Sequence, residues 1–69
     1  MTALTVYSTT RTLGQITLDS GELAGDTPGL QEVAASALRI AGGNAEDAYD
    51  SLNGFTNGYI TIVGPPLED

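Results

Sequence analysis

Apolar positions recur every second residue at both ends of this chain and at helical intervals in between. Residues 2 to 8, TALTVYS, put Leu4 and Val6 on one face of an extended segment and Thr5 and Tyr7 on the other. β-branched and aromatic residues suit a strand. After the polar connection TTRT, residues 13 to 19, LGQITLD, repeat the alternation with Ile16 and Leu18 on one face. Gly14 interrupts this run and marks either a bulge or a point of close backbone approach. Ser20-Gly21 then reads as a turn, and ELAG, at 22 to 25, as a short third strand carrying Leu23.

The period changes at residue 25. Leu30, Val33, Ala34, Ala37, Leu38 and Ala41 follow the i, i+3, i+4, i+7 spacing of an amphipathic helix. Thr27 is the expected N-cap and Pro28 the first helical residue, where its missing N–H costs nothing. Asp26 and Glu32 lie near the positive end of the helix dipole, Arg39 near the negative end, and Gly42-Gly43 supplies a left-handed stop. A second, shorter stripe of Ala45, Ala48, Tyr49 and Leu52 predicts another helix, capped by Asn44 with Asp47 three residues on. Its alanines, like those of the first helix, permit close packing on a sheet or a neighbouring helix.

The stretch SLNGFTNGY, residues 51 to 59, holds two Asn-Gly pairs with an aromatic residue close behind each. Both residue types tolerate positive φ. Asn53-Gly54 is expected to end the second helix, and Asn57-Gly58 to turn the chain into a final strand, YITIV, at 59 to 63. That strand should return to the amino-terminal sheet. The expected fold is α+β: a small antiparallel sheet (N-terminal hairpin, short third strand, C-terminal strand) packed by two short helices. It forms one domain over residues 1–64, followed by an acidic tail at 65–69. The expected core is Leu4, Val6, Ile16, Leu18, Leu30, Val33, Leu38, Tyr49, Leu52, Phe55, Ile60 and Ile62. Phe55 has two readings, as a plug in the open end of that core or as an anchor for a partner.

Composition narrows the function. At 69 residues the chain has room for one marginally stable domain, and without cysteine it has neither disulfides nor thiolate metal ligands. Association, with a larger body or with copies of itself, is the remaining source of extra stability. Nine carboxylates against two arginines, Arg11 and Arg39, give a net charge of −7. Direct binding to nucleic acid or to anionic membrane is disfavoured, because both need basic side chains. The dispersed charge chiefly favours solubility, although a basic partner would be attracted. No apolar run approaches the ~20 residues of a membrane span, and the amino terminus lacks the pattern of a signal peptide.

Catalytic chemistry finds little support. With no histidine, cysteine or lysine, nucleophile–base pairs of the usual kinds are missing. Glu46 and Asp50 stand one helical turn apart with Asp47 beside them, and could in principle act as acid and base or hold a hard cation. Their place in the first turns of a short helix is ordinary dipole complementarity. The glycines at 21, 25 and 29 lack the lysine of a phosphate-binding loop. Neither catalytic residues nor a metal or cofactor site is therefore expected.

The segment AEDAYDSLNGFTNGYITI, residues 45 to 62, resembles small accessory and structural proteins of actinobacterial phages and prophages. Those chains combine an amino-terminal hairpin, an alanine-rich helix, an acidic helix and a Gly-aromatic-Ser/Thr-Asn-Gly-Tyr segment before a last strand. Here that segment is Gly54, Phe55, Thr56, Asn57, Gly58 and Tyr59, with Phe55 where the pattern usually has tryptophan. The resemblance implies a non-enzymatic structural or interaction module, a minor or decorating component of a phage particle, made in the host cytoplasm and then carried in the virion. The expected partner-binding residues are Phe55, Thr56, Asn57, Tyr59, Pro65 and Pro66. The alternative is an acidic inhibitor or regulator bound to a basic site on one host protein.

Overall fold

In the computed structural model, which describes residues 2–67, the amino-terminal alternation becomes two antiparallel strands, β1 (Thr2–Ser8) and β2 (Thr12–Asp19). Leu4, Val6, Ile16 and Leu18 are buried on one face of this pair, as their period of two requires. Ser20 and Gly21 take φ of 53° and 79°, so the next turn is the tight hairpin type that matches strand twist. It leads into β3 (Glu22–Gly25). Gly14 is a point of close approach and borders a bulge without being its extra residue. The register passes from Val6–Gly14 to Tyr7–Thr12, leaving Leu13 as the extra residue of a bulge. A Cβ on Gly14 would also lie 2.8 Å from Leu30 Cδ1.

The two helical stripes become α1 (Pro28–Ile40) and α2 (Ala45–Leu52). Thr27 caps α1 by accepting the Leu30 N–H at 3.2 Å, and Asn44 caps α2 by accepting the Asp47 N–H at 3.0 Å. At the other end of α1, Gly42 and Gly43 take φ of 70° and 88°, and the Gly43 N–H returns to Leu38 O at 2.7 Å. Both glycines therefore serve as the left-handed stop. The inner faces of α1 and α2 carry Ala34, Ala37, Ala45 and Ala48 into the core, which is wider than the aliphatic and aromatic residues alone and also takes in Leu23. Val33, Leu38 and Ile60 are only partly buried at its margin.

The last strand, β4 (Ile60–Val63), pairs antiparallel with β1, completing a sheet of order β3-β2-β1-β4. The expected α+β architecture is the observed one. β4 begins one residue later than the apolar run, because the Tyr59 N–H is held by Asn57 Oδ1 and belongs to the turn. Beyond β4 the chain is fastened to α2. Asn53 accepts the Gly64 N–H at 3.1 Å and donates to Gly64 O at 3.0 Å and Pro65 O at 3.3 Å. The buried Tyr49 hydroxyl donates to Pro65 O at 2.6 Å, and Leu67 packs against the core. The final residues, Glu68 and Asp69, lie outside the described residues.

A Cβ at Gly25 would strike the backbone of Leu30, so Gly25→Ala should lower stability in urea titration by ~1–3 kcal/mol, the usual cost of overpacking. Gly29, in α1 and facing open space, is the control: Gly29→Ala should be neutral or gain up to about 1 kcal/mol. The Tyr49 phenol is pushed up from its ordinary value of 10.0 by burial and then by the Asp50 carboxylate. The folded state thus holds this proton more tightly than the unfolded state. Its contribution is complete below pH 10.0 and is lost as pH rises through the folded value. Stability of the wild type should fall relative to Tyr49→Phe above that pH, in denaturation series at stepped alkaline pH.

Candidate interaction surface

Residues 54 to 62 form an ordered hairpin on the outer edge of β4. The Gly54 N–H donates to Ile62 O at 2.6 Å, the Ile62 N–H to Phe55 O at 2.8 Å, and the Asn57 N–H to Ile60 O at 3.2 Å. A bridge joins Thr56 to Thr61, whose hydroxyls lie 3.2 Å apart. The turn is built by Asn57, whose Oδ1 accepts the N–H groups of Tyr59 at 2.9 Å and Ile60 at 3.0 Å, and by Gly58 with φ 90°. The two Asn-Gly pairs therefore do different work. Asn53-Gly54 ends α2 and turns its side chain back onto the chain after β4, whereas Asn57-Gly58 reverses the chain.

Between this hairpin and α1 runs an open apolar groove of about 480 Å³. Val33, Ala37 and Ile40 form its α1 wall, Leu52, Phe55 and Ile60 the opposite side, and Glu32 is its charged lining residue. Phe55 is 42 % exposed, which corrects its place among the core residues. Its backbone is committed to β4 through Ile62, so its side chain stands at the groove rather than under the sheet. Ile40, on the α1 wall of the same groove, is 84 % exposed. Ile40 is absent from the expected contact residues because it lies off the main stripe of α1. The available signal was the i, i+4, i+7 series Val33, Ala37, Ile40, which widens that stripe on one side.

The six expected contact residues fall in two places. Phe55 and Asn57 line the groove, Thr56 is exposed on the hairpin arm, and Tyr59, 80 % exposed, stands at its tip. Pro65 and Pro66 are exposed beyond the opposite end of β4 and do not join that cluster. A second surface is the sheet face turned away from the core, where Tyr7 and Val63 stand exposed among threonines.

Glu46, Asp47 and Asp50 are exposed on α2, and none of them lines the groove. The described residues contain no cluster of three or more His, Cys, Asp or Glu arranged to hold a metal ion. No described side chain has a buried polar atom without a hydrogen-bond partner. No described helix is long and apolar enough to cross a membrane. Compared with protein-family models, with curated proteins and with solved structures, the chain matches none.

The exposure of Phe55 and Ile40 sets their energetic weight. A buried phenylalanine costs ~3–5 kcal/mol when cut to alanine, but Phe55→Ala should cost no more than about 1–2 kcal/mol. Ile40→Ser should stay within ~0.5 kcal/mol of wild type, as surface substitutions do. Chemical denaturation of the two variants measures both.

Proposed function

We propose that this protein is a non-enzymatic structural module that docks on a larger protein assembly through the groove between α1 and the 54–62 hairpin. The observation that carries the reading is the pairing of two exposed apolar side chains, Ile40 and Phe55, across an apolar groove in a chain of net charge −7. A charged shell keeps such a small domain soluble, and an apolar cleft within that shell marks a place where contact is favourable. The assembly is a phage particle, in which the protein is a minor or decorating component. That part rests on the resemblance of residues 45 to 62, including the hairpin sequence Gly54 to Tyr59, to phage accessory proteins. The exposed carboxylates Glu46, Asp47 and Asp50 on α2 favour the second reading, an acidic inhibitor seated on a basic host protein.

Density-gradient sedimentation of a lysate from producing cells, with the chain followed by mass spectrometry, separates the two. The structural reading expects many copies sedimenting with a megadalton-size particle, retained at high salt and released by Ile40→Glu. Migration with one host protein, lost as salt rises, would favour the inhibitor instead.

A further inference from the structure

The two Asn-Gly pairs differ in chemical exposure as well as in structural role. We propose that Asn57 is a site of spontaneous deamidation in the folded protein, while Asn53 is shielded from the same reaction. In this reaction the backbone nitrogen of the following glycine attacks the asparagine Cγ. The new N–Cγ bond closes a five-membered succinimide, the Cγ–Nδ2 bond breaks, and the nitrogen's proton leaves with the departing ammonia. Water then opens the ring at either carbonyl, giving aspartate or isoaspartate. The whole conversion takes up one water and releases one ammonia, with no oxidant or cofactor.

At Asn57 the parts of this reaction are free or assisted. Asn57 is exposed, and Gly58 places no side chain in the way of its own nitrogen. Among the described residues, neither the Gly58 N–H nor Asn57 Nδ2 has a hydrogen-bond partner, so nucleophile and leaving group both face solvent. The Asn57 Oδ1 is the acceptor of two backbone N–H groups, from Tyr59 and Ile60. Donors on that oxygen draw charge from Cγ and stabilise the negative charge that develops on Oδ1 during attack.

At Asn53 every part is engaged. Its nucleophile, the Gly54 N–H, is bonded to Ile62 O at 2.6 Å. Its leaving group, Nδ2, donates to Gly64 O and Pro65 O, and its Oδ1 accepts the Gly64 N–H. Attack there must wait until the chain after β4 detaches from α2 and the hairpin from β4. At Asn57, conversion adds a carboxylate to the apolar groove that this residue lines, and isoaspartate adds a main-chain carbon to a turn in hydrogen-bonded register.

The test is to age the full chain at mildly alkaline pH, folded and in urea, and to map both sites by peptide mass spectrometry with isoaspartate detection. In urea both sites should convert at comparable rates, which supplies the intrinsic reactivity. In the folded protein, conversion at 57 should outpace that at 53 by roughly tenfold or more, because only 53 depends on local opening. Equal rates at the two sites in the folded chain would overturn the proposal. So would protection of both, which would mean that the two N–H contacts immobilise Asn57 instead of activating it. The result bears on the chemistry of Asn57 alone and is independent of which assembly the groove contacts.

Discussion

The attachment of the chain after β4 to α2 is the contact on which the rest depends. Tyr49 and Asn53, one helical turn apart, together hold the backbone of Gly64 and Pro65 through four hydrogen bonds. All four involve side chains that fill the core, Tyr49, or cap α2, Asn53, and three of them form in a partly shielded setting where an unmade bond is costly. They anchor β4 at its carboxyl end while β1 pairs along its length. With β4 in place, Ile62 closes the core and its outward N–H and C=O are available to organise Phe55 and Gly54. The hairpin, and therefore the groove, exists because this closure places the strand.

Close approach between layers is a second constraint on the fold. Gly25 lets the sheet meet the backbone of α1 where any side chain would collide, Gly14 sits against the side chains of Asp26 and Leu30, and the alanines of α1 and α2 let both helices sit tightly on the core. Small residues lower the area each contact buries, but they raise the packing density that a short chain can reach. Edge protection follows from the same economy. The outer edge of β4 is covered by its own hairpin, and the short β3 has its Gly25 N–H taken by the Gln31 side chain at 3.0 Å. Neither edge offers a long unpaired ladder to another strand.

What is left for a partner is therefore side-chain surface rather than backbone. The groove combines residues from α1 with residues from 52 to 60, and its apolar character contrasts with the acidic character of the chain as a whole. An interface of this kind would draw its affinity from Ile40 and Phe55, whose exposure leaves apolar area to bury, with charge acting mainly on encounter.

Local chemistry made most of the architecture readable in the sequence. Period-two runs, helical stripes, Thr27 and Asn44 as caps, and the Asn-Gly turns each depend on near neighbours, and each appears where the pattern puts it. The α+β order and the return of the last strand follow from them. The groove was legible only in part. Phe55 and Asn57 stood out as turn and aromatic residues, but Ile40 did not, because exposure depends on what lies opposite and no local pattern encodes that. Periodicity and local chemistry were enough for the elements, their order and the apolar faces that must meet. Packing between distant segments set the rest: that Gly14 lies against Leu30 beside a bulge at Leu13, that Asn53 reaches Gly64, and that Phe55 lies outside the core. Those outcomes depend on distances between segments far apart in the chain, which periodicity along the chain does not specify.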